Sequence, residues 1–143
     1  MGARDILLIA PEADAPELAA TMEPLGQAHG IHLDHHNSAT LSVLFAALSG
    51  DDVNGDNAVA CLPFRLLHTD DEEDGPWVYA IPNEFWDRLM NHASPEALAR
   101  TWAKAELLEY HGEAELVTLL EQLRRLATTA AELQKPILFW SSN

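Results

Sequence analysis

Four histidines and an aspartate crowd one eight-residue stretch: His29, His32, Asp34, His35 and His36. Imidazole nitrogens and carboxylate oxygens are ligands of first-row metal ions, so the chemistry to weigh first is a metal centre serving hydrolysis. Three-residue steps align His29, His32 and His35 only on a helix, and Gly30 stands inside that would-be turn. In an extended segment side chains alternate, which puts His32, Asp34 and His36 on one side and Ile31 and Leu33 on the other. That three-ligand face is the alternative reading, a metal-dependent hydrolase. Nothing elsewhere in sequence completes it, because His68, His92 and His111 are isolated. The competing reading is a polar loop entering a helix. We assign no metal, no cofactor and no catalytic residue.

Other chemistries fare no better. Asp34-His35-His36 spells the tripeptide that names the DHH phosphoesterases. Those enzymes need further aspartates and histidines on several strands and are longer chains, and the aspartate-rich strand motif upstream is missing here. Ser38, Ser42 and Ser49 lack a Gly-x-Ser-x-Gly elbow. Cys61, the single cysteine, stands in an apolar stretch next to Leu62, as expected of a buried, inert thiol, and leaves no partner for an internal disulfide. The seven glycines are scattered and form no phosphate-cradling loop.

Charge points toward a partner. Eight basic and 23 acidic residues give a net charge of −15 with neutral histidines. A polyanion or an anionic membrane surface requires a basic face, so nucleic acid held through its phosphates and charged membranes are both disfavoured. A basic protein partner fits. Asp70, Asp71, Glu72, Glu73 and Asp74 form the one unbroken acidic run, and Trp77 follows directly after the turn residues Gly75 and Pro76. These six residues are the candidate partner-binding site; a plain solvated loop is the blander reading. No apolar run approaches twenty residues and no basic leader precedes a hydrophobic core, so a cytoplasmic protein is the expectation. The oligomeric state is not legible.

The elements that must position these residues follow from periodicity. Residues 5–10 form an apolar run ending at Pro11, a buried strand. Asp14 and Glu17 have capping-box spacing for a short helix carrying Leu18, Ala19 and Met22, broken by Pro24 and Gly26. Leu41, Leu44, Phe45 and Leu48 predict a helix capped by Asn37 or Ser38 and closed by Gly50. Residues 58–67 read as a strand interrupted by Pro63, and residues 77–81 as another. Pro82 opens a helix with Phe85, Trp86, Leu89, Met90 and Ala93 inward. Ser94-Pro95-Glu96 opens the next, running to about Tyr110. From Glu113, the leucines at 116, 119, 120, 123, 126 and 133 mark a long amphipathic helix that Pro136 stops. The apolar run 137–140 is then a strand covered on both faces, paired with 5–10. The 143 residues predict one compact α+β domain, a small mixed β-sheet pairing the first and last strands, with about five helices packed on it.

This order of elements resembles the YfbM-like family of uncharacterised bacterial proteins. The resemblance is carried by an initial Met-Gly strand, Leu33-Asp34 leading into the helix of Leu41 and Leu48, and Ser49-Gly50 at its end. Pro82-Asn83-Glu84, Pro95-Glu96-Ala97-Leu98, and Glu109-Tyr110 before the long last helix carry the second half. The family's lysine and tryptophan after the aspartate are replaced here by His35 and residues around Ser38. The resemblance implies an α+β fold, no established activity and no catalytic residues to transfer.

Overall fold

A computed structural model of the chain describes residues 4–20, 29–92 and 94–142. Five α-helices are found among them: α1 (Ala15–Ala19), α2 (Ser38–Leu48), α3 (Asn83–Asn91), α4 (Pro95–Ala103) and α5 (Glu113–Leu133). The chain groups into two compact units, one of Met1–His35, Phe64–Ile81 and Leu126–Asn143, the other of His36–Pro63 and Pro82–Arg125.

In the first unit, β1 (Arg4–Ile9), β2 (Gly30–His32), β3 (Arg65–Thr69), β4 (Trp77–Ala80) and β5 (Ile137–Ser142) form one sheet in the order β2-β1-β5-β4-β3. The expected pairing of first and last strands is present, from Arg4↔Ser142 to Ile9↔Ile137. As the middle strand, β5 meets β4 on its other side, which is why Ile137, Leu138, Phe139 and Trp140 are all buried and show no alternation. The fold is α+β, with every pairing antiparallel rather than mixed: β3 and β4 are the arms of a hairpin, and β5 runs against both of its neighbours. Strand β2 was not anticipated; three residues are too few for a period-two pattern to declare itself.

Each face of the sheet has its own packing. Ile6, Leu8, Val78, Leu138 and Trp140 meet Ala15, Leu18 and Ala19 of α1, and the Trp140 indole Nε1 donates to the Leu18 carbonyl at 3.0 Å. Fully burying a leucine, isoleucine or valine of this set stabilises by about 1.5–3 kcal/mol. On the other face, the Phe139 ring centroid lies 5.4 Å from Phe64 and 6.1 Å from Tyr79. Asp14 does not cap α1 with its side chain, against expectation. It is the last residue of a 3-10 turn (Glu12–Asp14) with φ −83° and ψ −2°, whereas a capping residue needs extended backbone. Met22, Pro24, Gly26 and Ala93 lie outside the described residues.

Residues 126–133 of α5 belong to this unit, and the helix ends in a hydrogen-bonded reversal. Lys135 N–H donates to Ala130 O at 3.1 Å and Gln134 N–H to Ala131 O at 3.2 Å, with Gln134 left-handed at φ 55°. Pro136 follows, and its carbonyl receives Ala10 N–H at 3.2 Å, which aligns β5 with β1.

The second unit is helical. Asn37 caps α2 reciprocally with Thr40: Thr40 N–H donates to Asn37 Oδ1 at 3.1 Å and Asn37 N–H to Thr40 Oγ1 at 2.9 Å. Ser94 caps α4 by accepting Ala97 N–H at 3.1 Å. Leu41, Leu44, Phe85, Leu89, Leu98, Trp102, Leu116 and Leu120 are buried, while Met90, expected inward, is exposed. Helix α4 stops at Ala103 rather than near Tyr110. There the Asn54 side chain donates to Lys104 O at 3.1 Å and accepts Glu106 N–H at 2.8 Å, diverting those backbone groups from a helical ladder. Residues 58–60 form a 3-10 turn rather than strand, and the strand predicted across Pro63 begins only at Arg65. No helix among the described residues is long and apolar enough to cross a membrane.

Removing residues 136–143 deletes the middle of the sheet, so the truncated protein should show no cooperative thermal transition by circular dichroism. Replacing Gln134 with Gly relieves a left-handed non-glycine residue and should raise stability by about 1 kcal/mol in urea unfolding, with an unchanged denaturant slope.

Candidate functional site

The strand registers gather one end of the sheet. Asp5 pairs with Ser141, Ser141 with Trp77, and Trp77 with Thr69, so these four residues form a row across β1, β5, β4 and β3. Strand β2 leaves the sheet at the same end, where Leu33 N–H donates to Asp5 O at 2.9 Å. The hairpin loop of residues 70–76 therefore stands at the same end as Asp34 and His35.

A cleft of about 230 Å³ opens here, lined by Arg4, Asp5, His32, Leu33, Asp34 and His35. Asp5 is half-buried, and its Oδ1 accepts the Ser141 hydroxyl at 2.6 Å. Burial raises its carboxyl pKa above the ordinary carboxylate value, and the Ser141 hydrogen bond offsets part of that rise. Arg4 leaves the strand on the other face, where its guanidinium lies 5.5 Å from the Trp140 ring centroid. His35 adopts a left-handed backbone with φ 64°, a strained conformation for a non-glycine residue.

The acidic loop is ordered by its own backbone and side chains. Asp71 Oδ1 accepts Glu73 N–H at 2.9 Å, Asp71 O accepts Gly75 N–H at 2.8 Å, and His68 Nε2 meets Asp70 Oδ1 at 3.0 Å. Asp70, Asp71, Glu72, Glu73 and Asp74 all point into solvent, and Trp77 is half-buried beside them. Gly75 is left-handed at φ 76°, and a Cβ there would meet the Trp77 ring at 2.5 Å, so only glycine lets the loop lie against the indole.

The histidine cluster does not assemble. His32 and Asp34 are exposed and line the cleft, but the turn at Asp34 and His35 breaks the alternation that would place His36 beside them. His36 is instead buried in the second unit, its ring stacked 4.5 Å from His111 and tilted 5.4 Å from Trp102. His29 lines a different cleft, of about 190 Å³, with Asp14, Glu17 and Lys135. Among the described residues, no three His, Cys, Asp or Glu side chains are placed to hold a metal ion. Cys61 is half-buried rather than buried, 3.3 Å from Ser42 O.

Arg4, Asp5 and Ser141 escaped sequence reasoning. The available signal was a pair of apolar strands each bearing a polar residue at the end where, if antiparallel, they meet. The chain matches no protein family, no curated protein and no solved structure.

Because the folded state raises the Asp5 pKa above the roughly 3.9 of an unfolded chain, ionised Asp5 costs stability at neutral pH. The cost fades as pH falls through the folded value and is gone below the unfolded one. Asp5→Asn should therefore melt higher than the wild type at pH 7, with the gap closing as pH approaches about 4.

Proposed function

We propose that this protein is a non-enzymatic, cytoplasmic protein-binding module, immunity- or adaptor-like, that recognises a basic partner. The observation supporting this reading is the crowding of one end of the sheet: Asp5, Asp34, Asp70, Asp71, Glu72, Glu73 and Asp74 all lie there, with Trp77 in their midst. Five of these seven carboxylates sit on an ordered, solvent-facing loop. Such a surface attracts cationic partners at long range, speeding encounter and rejecting acidic competitors, while a half-buried tryptophan adds apolar contact area. The likeness to the YfbM-like family is part of the same proposal and adds no activity to it.

Affinity capture from native lysate on wild-type protein should retain a basic polypeptide that roughly 0.5 M salt releases, in line with screening of exposed charges. A variant carrying Asp70→Asn, Asp71→Asn, Glu72→Gln, Glu73→Gln and Asp74→Asn should not retain it. Equal retention by both proteins, or no salt-sensitive partner at all, overturns the reading.

A further inference from the structure

We propose that the cleft at Asp5 receives a lysine or arginine side chain from that basic partner. The inference rests on the binding-module reading and names the contact that would anchor it. At about 230 Å³ the cleft lies below the roughly 300–1,000 Å³ of pockets that enclose whole small molecules, a size suited to one inserted side chain. Asp5 carries the carboxylate that such a group would meet. Its Oδ1 meets the neutral Ser141 hydroxyl, and the Arg4 guanidinium lies 5.5 Å from the Trp140 ring centroid. A half-buried carboxylate that accepts from a neutral hydroxyl gains from a cation that enters and forms a charge-assisted hydrogen bond. Leu33 is buried and supplies an apolar wall for the aliphatic stem of the guest, and exposed Asp34 sets a second negative charge at the mouth.

The cleft's position also fixes the form of the partner. From Asp5 to Thr69 is three strand spacings, or about 14 Å, and the acidic loop begins at the next residue. An extended segment covers that span in about four residues. The guest is therefore one basic residue of a short basic run, with its neighbours lying along residues 70–74.

The test is an NMR titration with Nα-acetyl-argininamide, using Nα-acetyl-norleucinamide as the uncharged control. Wild-type protein should show saturable amide shifts at Asp5, Leu33 and Ser141 with a Kd on the order of 1 mM, the strength of a single exposed ion pair with its stem. Asp5→Asn, which is expected to be the more stable protein, should bind at least tenfold more weakly, and the norleucine compound should produce no saturable shift. The loop-neutralised variant should still bind the arginine compound. Non-saturating shifts, or equal binding by wild type and Asp5→Asn, overturn the cleft proposal even where lysate capture succeeds. Saturable binding at Asp5 alongside failed capture upholds the cleft and removes the partner.

Discussion

Strand β5 is hydrogen-bonded on both sides, to β1 and to β4, and no other strand of the sheet joins those two. Three of its four consecutive buried residues supply apolar contacts on both faces: Leu138 and Trp140 toward α1, Phe139 toward Phe64 and Tyr79. The reversal after α5 exists to deliver this strand in register. A single proline and one left-handed glutamine turn the chain from helix into the middle of a sheet, where a one-residue slip would drive Trp140 off the α1 face.

The polar groups are arranged around that apolar centre. Sheet interiors tolerate few charges, so they collect where strands end, and five strands meeting at one end bring together acids that are far apart in sequence. The two edge strands carry familiar protection against chance pairing. Strand β2 is three residues long, and β3 has a register shift between Leu66 and His68 and, at its start, an Arg65–Glu12 ion pair in which one guanidinium nitrogen meets both carboxylate oxygens. The proposed recognition is therefore better served by the sheet's acidic end than by its edges.

Much of this was legible in the chain. The apolar runs at 5–10 and 137–140 announced their pairing, and Ser94, Pro136 and the leucine spacing of α5 marked helix boundaries through local chemistry that acts within a few residues. What stayed hidden depended on partners distant in sequence. The stop at Ala103 comes from Asn54, roughly fifty residues upstream, and the setting of Asp5 comes from Ser141 at the other end of the sequence. The histidine cluster misled for the opposite reason. Its composition was suggestive, but one left-handed residue, His35, parts the side chains that alternation would have aligned.

Strand order has a consequence for biosynthesis. Translation produces β1, β2, β3 and β4 before β5, so in a growing polypeptide the inner edges of β1 and β4 lack the strand that bridges them. Open apolar edges invite pairing with other nascent chains, and the gap closes only after the last strand emerges. The acidic loop between β3 and β4 is already present in that interval, and like charges on neighbouring polysomes would keep the unfinished sheets apart.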